Sequence, residues 1–322
     1  MTWISIGSVS TASSVVNITL NEWTDFDTAV WSMDLTFTSN TNWTDSNTNV
    51  AGSVSNISIT DKAEPVVVSA EYLDEDSNYK VDKVDILFSE NLLGFSSWDF
   101  TVSGLIKSTA LLSSATVSIN VTETSNDNDT WVLAYFSFSN STLRDSANNF
   151  VSQITNQQIT DKIAPKLLSI ETWDSNNNGK IDFVRLAYSE NMNTDFASFV
   201  WEVDSYTISS YSKFNDSTLQ FNLTEKSSYD SGETPNVQVV SNTSLKDLND
   251  NSVNATSSTV SDDKVGPVIT WSRYDSSSHK MYLSFSENIN SSDFLIENFI
   301  LSNAGTYIIT WVDSSEKSIT LT

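Results

Sequence analysis

The feature of this chain that most limits what it can fold into is an internal repeat of about 100 residues. Asp61-Lys62-Ala63-Glu64-Pro65 returns as Asp161-Lys162-Ile163-Ala164-Pro165 and again as Asp263-Lys264-Val265-Gly266-Pro267, at offsets of 100 and 102. Phe88-Ser89-Glu90-Asn91 returns as Tyr188-Ser189-Glu190-Asn191 and Phe285-Ser286-Glu287-Asn288, at offsets of 100 and 97. A third block, Ser39-Asn40 with Asp45, matches Ser139-Asn140 with Asp145 and Ser241-Asn242 with Asp247. Three blocks in constant order at one period make each repeat a structural unit, so one architecture must serve them all.

Within a repeat, short alternating runs are separated by turn residues, which is the strand signature. Lys166–Ile170 leads through Asp174–Lys180 into Ile181–Tyr188, and Ser118–Thr122 and Trp131–Phe138 are further strands. Asn178-Gly179 predicts a tight hairpin turn with positive φ at both residues. No stretch has the length and 3.6-residue period of a helix, and the wealth of Ser, Thr and Asn favours strands and turns. About seven strands in about 100 residues match a two-sheet immunoglobulin-like sandwich. The predicted fold is therefore all-β: tandem immunoglobulin-like β-sandwich repeats in a rod or filament.

The phase divides the chain into 1–60, the closing half of a unit; 61–160 and 161–262, complete units; and 263–322, the opening half of another. Thr310-Trp311-Val312 resembles Thr2-Trp3-Ile4, and Ile319-Thr320-Leu321 resembles Ile18-Thr19-Leu20. Half a sandwich cannot cover its own inner face, so each end is expected to be incomplete alone. Either further repeats of one polypeptide or a second copy, head to tail, would complete it.

Charge and composition remove whole classes of function. A net charge of −25 offers no phosphate-neutralising surface, so nucleic acid is not a partner. Cysteine is absent, which removes thiol nucleophiles, zinc–thiolate sites and disulfides together. His279 is the single histidine, so a Ser-His-Asp triad or a multi-histidine metal site would have to rest on it alone. No apolar run approaches the ~18 residues of a membrane span, and direct membrane insertion is not expected.

The succession Asp-Lys-x-x-Pro, extended strand, polar Asp/Asn turn, aromatic-Ser-Glu-Asn and late Asp resembles the tandem immunoglobulin-like or cadherin-like repeats of prokaryotic cell-surface proteins. Bacterial and archaeal S-layer proteins, adhesins and extracellular filament subunits carry such units. The resemblance implies an extracellular, cell-surface location and an architecture more than an activity.

Two sets of residues are candidate calcium ligands. In the first, Asp174, Asn176, Asn178 and Asp182 place oxygens at alternate positions around a central glycine, the spacing that wraps calcium, and Asp74, Asp76, Asn78 and Asp82 keep the oxygens one repeat earlier. A hairpin built from turn formers explains the same residues. The second set lies at the unit boundaries: Asp61, Asp161 and the pair Asp262-Asp263 lie at the start of each unit, Glu90, Glu190 and Glu287 end its second strand, and Asp145 and Asp247 are expected to join from the preceding unit. Gathered carboxylates repel unless a cation or a base such as Lys62, Lys162 or Lys264 sits among them. Recurrence in every unit argues against Glu90, Glu190 and Glu287 as catalytic residues, and an enzyme is not expected.

Eleven Asn-x-Ser/Thr sequons occur, close to what composition alone produces, so their positions matter more than their number. Asn17, Asn120 and Asn222 fall at one place in successive repeats, and Asn140 and Asn242 at another, as candidate glycosylation sites in rows. Trp31 with Trp131, and Trp173 with Trp271, read as core residues. His279 reads as an exposed turn residue. The expected function is an extracellular structural element of a filament or S-layer, with a ligand-binding adhesin on the same repeats as the alternative. Near-uniform repeats favour the former, although 227–235 is a local expansion in one repeat.

Overall fold

A computed structural model describes residues 5–21, 28, 34–123, 133–139, 142–193, 200–240, 245–290, 299–300, 302, 312–315 and 318–321. The described chain is almost entirely β, with one 3₁₀ turn at Ser97–Asp99, and it divides into two compact units, Met1–Lys162 and Ile163–Thr322.

The first unit opens with β1 (Ile6–Ala12) and β2 (Val15–Leu20), an antiparallel hairpin, followed by the antiparallel pair β3 (Asp34–Phe37) and β4 (Val54–Ser58). None of the described residues in these four strands is buried, and Ile6, Val9, Val15, Val54 and Ile57 face solvent. Eight further strands complete the unit: β5 (Val67–Leu73), β6 (Lys83–Phe88), β7 (Phe100–Ser103), β8 (Lys107–Ser113), β9 (Thr116–Val121), β10 (Tyr135–Phe138), β11 (Ile154–Gln158) and β12 (Thr160–Asp161). They form a five-stranded sheet in the order β12-β5-β6-β9-β8 and a three-stranded sheet in the order β11-β10-β7. Alternation decides which face turns inward: Val84, Ile86 and Phe88 of β6 and Val117 and Ile119 of β9 are buried, while Asp85 and Ser118 between them meet on the outer face, Ser118 Oγ donating to Asp85 at 2.6 Å. β12 adds in parallel to β5, pairing Asp161 with Tyr72 and so covering what would be an open edge.

The second unit repeats the plan. Its strands are β13 (Leu167–Trp173), β14 (Phe183–Tyr188), β15 (Val200–Val203), β16 (Ile208–Asn215), β17 (Thr218–Leu223), β18 (Asn236–Val240) and β19 (Thr259–Val260). The sheets β13-β14-β17-β16 and β15-β18-β19 enclose one core, in which Ile170, Leu186 and Phe221 from one sheet meet Trp201, Val203 and Val237 from the other. Such a two-layer arrangement is sandwich-like. Trp201 packs on Phe221 at 4.8 Å between ring centroids. The chain then continues through β20 (Ile269–Asp275), β21 (Lys280–Phe285), β22 (Val312–Ser315) and β23 (Ser318–Leu321), a four-stranded sheet in the order β20-β21-β23-β22.

Two expectations need correction. The link from β13 to β14 is a nine-residue loop, not a two-residue turn, with positive φ at Asn177 and Gly179 and none at Asn178. Asp174 and Asp182 organise that loop through its backbone amides, so side-chain acceptors replace the hydrogen bonds of a tight hairpin. The tryptophans Trp173 and Trp271 lie outside the core: Trp173 is half-buried with the Arg185 guanidinium 5.0 Å from its ring centroid, and Trp271 is 51% exposed. Alternation places the neighbour Thr172 inward instead. Trp31 and Trp131 lie outside the described residues. His279 is exposed in its turn, as expected.

Candidate metal centre

The recurring sequence blocks come together at one corner of repeat 61–160, and the backbone explains how. Phe88 buries its ring, and the next residue, Ser89, is tied to the segment before β5: its N–H donates to Val66 O at 2.9 Å, and its Oγ accepts from Val66 N at 3.0 Å. This fixes the stretch after Asp61 beside Glu90. Two residues beyond Glu90, Leu92 is buried, and Leu93 forms a bridge with Arg144 through hydrogen bonds of 2.7 and 3.0 Å. That bridge brings the late loop, with Asp145, to the same corner.

Asp61, Glu90 and Asp145 each place a carboxylate oxygen within 4.8 Å of the others. Glu90 is 6% exposed and Asp145 is 0% exposed. Asp61 Oδ1 accepts from Ala63 N at 2.9 Å, and Asp145 is held by Asn149, which donates its backbone N–H to Oδ1 at 2.7 Å and its amide Nδ2 to Oδ2 at 2.6 Å. Glu90 differs: its Oε1 is buried with no hydrogen-bond partner. Burial pushes the Glu90 carboxyl above its ordinary range, and the charges of Asp145 and Asp61 push the same way against a hydrogen bond from Thr28. Among the described residues, neither Glu90 nor Asp145 forms a salt bridge. Arg144 turns away from Asp145 to Asn148 and to the carbonyl of Thr142, and Lys162 pairs with Glu71 at 3.6 Å.

The expectation that Asp145 serves the next unit is thus corrected. The Leu93–Arg144 bridge folds the late loop back onto its own repeat, so Asp145 joins Asp61 and Glu90. The second unit is built likewise: Ser189 N donates to Lys166 O, Met192 bridges Asp247, and Glu190 and Asp247, both buried, approach within 4.8 Å. Asp161 is buried at the end of β12 in the first unit. In the last repeat Asp263 Oδ1 accepts from Val265 N, and Glu287 lies against Gly232 of the expanded loop.

The alternate-oxygen loops have a different character. Asp174 accepts from Asn176 N and Gly179 N, Asn176 Oδ1 from Asn178 N, Asn178 Oδ1 from Lys180 N, and Asp182 from Ser175 N. The amides of Asn176 and Asn178 both reach Glu225. Burial raises the Asp182 carboxyl, but the hydrogen bonds it accepts outweigh this and hold it below the ordinary range. One repeat earlier, Asp74 accepts from Asn78 N and Tyr79 N, and Asp82 from Glu75 N and Asp76 N, with Asp74, Asp76 and Asp82 gathered within 4.8 Å. These oxygens therefore already serve their own loop backbones.

Of the sequon residues, Asn120 donates Nδ2 to Thr109 Oγ1 at 2.8 Å and Asn222 donates Nδ2 to Ser210 Oγ at 2.9 Å, both across strands, while Asn17 is exposed in β2. Asn140 and Asn242 lie outside the described residues. Sequence reasoning missed the two Asn partners Asn149 and Asn251. The signal was present as Asp-x-x-x-Asn, which recurs at Asp45 and Asn49, Asp145 and Asn149, and Asp247 and Asn251.

Fold and site together define an all-β, sandwich-like repeat protein with an acidic corner. Comparison with family models, with curated proteins and with solved structures found no match.

Proposed function

We propose that this chain is an extracellular structural protein, a repeat-built element of a cell-surface filament or S-layer composed of immunoglobulin-like units joined head to tail. The observation that carries the reading is the recurrence of one structural device at equivalent places. Asp45, Asp145 and Asp247 each accept the side-chain amide of the asparagine four residues on, at 2.9, 2.6 and 2.7 Å. A chain that repeats its scaffold in this way distributes its role along its length, which suits a load-bearing or lattice element. The exposed apolar residues of β1 to β4 support completion by further strands, from a second copy or from more repeats of the same polypeptide. Negative charge keeps such an exterior soluble.

The adhesin alternative would use a loop peculiar to one repeat, and 227–235 is that loop. It is anchored through the buried Asp230, which accepts from Ile181 N at 2.8 Å and from Tyr206 Oη at 2.8 Å, while Ser227, Ser228, Tyr229, Glu233 and Thr234 are exposed, Glu233 pairing with Lys226. Glycans at Asn17, Asn120 and Asn222 belong to the same proposal, because an N-linked sugar leaves one amide hydrogen for the cross-strand bond.

Electron cryotomography of producing cells, with antibody labelling of this chain, tests the reading. A regular surface layer or filament carrying the label is the expected result, and intact mass of the released protein reports its glycans. Label confined to the cell interior would overturn the proposal. Loss of attachment on deleting 227–235, with the surface layer unchanged, would replace it with the adhesin.

A further inference from the structure

We propose that Asp61, Glu90 and Asp145 form a divalent-cation site, filled by calcium, that clamps the start of repeat 61–160 to that repeat's own late loop. The three carboxylates offer only oxygen ligands, which is the donor set of a hard cation. Oxygens bound to one calcium at about 2.3–2.6 Å lie at most about 5 Å apart, and these three lie within 4.8 Å of one another.

Two further facts separate this corner from an ordinary acidic patch. The Glu90 side chain is buried, and its Oε1 has no hydrogen-bond partner. A buried, unpaired acceptor in a negative setting is costly in a chain that could have placed glutamine there. Asp145, in turn, is oriented before any ion arrives, because Asn149 grips both of its oxygens and leaves each a lone pair free. Second contacts of that kind fix the direction of a metal ligand. The ion would thus join the segment before β5, the end of β6 and the late loop, which the Ser89–Val66 and Leu93–Arg144 hydrogen bonds already hold side by side.

The test uses the full chain stripped with chelator, its Glu90→Gln variant, and calcium chloride as probe. Calorimetric titration of the parent should give binding with a dissociation constant on the order of 0.1–1 mM, the range of extracellular calcium modules. The variant should bind one ion fewer, or bind at this corner with affinity reduced more than tenfold, since even indirect partners of metal ligands cost about 10–100-fold. Thermal melting separates ligation from a purely structural role. Without calcium, Glu90→Gln should melt no lower than the parent, because it removes a buried, repelled charge; with calcium, the parent should gain stability that the variant does not. A variant that melts lower than the parent without calcium would overturn the proposal. So would a parent that shows neither heat nor a melting shift up to several millimolar calcium, or a variant that keeps every bound ion.

Discussion

Glu90 and Asp145 bring their carboxylates within 4.8 Å of each other, one just after β6 and the other in the late loop of the same repeat. Backbone bridging sets that approach. Leu93 exchanges hydrogen bonds with Arg144 next door, and Met192 bridges Asp247 at the equivalent place in the second unit. The acidic corner is therefore a product of how each repeat closes its second sheet onto its first. Any residue at position 145 would lie close to Glu90, so a carboxylate there is a choice of chemistry.

The packing of Trp201 on Phe221 should dominate the stability of the second unit. Phe221 is 1% exposed and lies between β14 and β16 in its sheet. Phe221→Ala should cost about 3–5 kcal/mol in urea unfolding, as loss of a buried aromatic ring does. Trp98, 90% exposed, gives the contrast: Trp98→Ser should change stability by no more than about 0.5 kcal/mol. Equal effects at the two sites would contradict the assignment of the core.

Acid should release the turn between β20 and β21. Hydrogen bonds from Ser277 Oγ and N hold the Asp275 carboxyl down at about 2, from an ordinary 3.8. A carboxyl depressed in the folded state adds stability that is complete above its unfolded value and is lost as pH falls through the folded one. The turn should therefore keep its protection at pH 5 and lose it between about pH 4 and 2. Amide exchange at Ser277 across that range measures it, and Asp275→Asn should flatten the profile.

How far the sequence discloses this protein depends on the range of each interaction. The repeat blocks were legible because each has a local duty: the aromatic buries itself, the serine ties the segment before the first strand, and the aspartate closes a turn. The strand alternation visible in the sequence is realised in the structure, where Val84, Ile86, Val117 and Ile119 take the inward positions. The partnership of Asp145 was not legible, because which repeat receives the late loop depends on the bridge at Leu93, a contact between distant segments. The tryptophans misled for another reason. Trp173 is large and lies in a strand, but one step of register sends it to the outer face, where Arg185 stacks against it. Tyr79 shows the limit of glycine as a signal: it holds the same left-handed turn at φ 69 that Gly179 holds at φ 79.

Gly179 is nonetheless fixed by its surroundings. A Cβ there would meet Val268 Cγ2 at 2.3 Å and Tyr229 Cδ1 at 3.1 Å, on a backbone already at positive φ. Gly179→Ala should destabilise the second unit by about 1–2 kcal/mol from conformation alone, and by more from the clash. Gly52→Ala is the control, since nothing lies within 4 Å of its Cβ position. Denaturant midpoints of the two variants should differ clearly, with Gly52→Ala at or above the parent.

The Asp-x-x-x-Asn loops offer a series in which one hydrogen bond recurs at different depths. Asn49, Asn149 and Asn251 donate Nδ2 to Asp45, Asp145 and Asp247, and the backbone N–H of each also reaches Oδ1 of its aspartate. Asp45 is exposed, whereas Asp145 and Asp247 are fully buried. Replacing each asparagine by alanine deletes the side-chain bond and leaves the backbone bond in place. In the buried loops the aspartate then lacks a donor that water cannot replace, so Asn149→Ala and Asn251→Ala should each cost about 1–3 kcal/mol. At the exposed loop water takes the vacated position, and Asn49→Ala should cost less than about 0.5 kcal/mol. Chemical unfolding of the three variants under chelator reads the series free of any ion. A uniform cost across the three would mean that burial does not set the strength of this bond, and a negligible cost at Asn149 and Asn251 would mean that the loops hold together through their backbones alone.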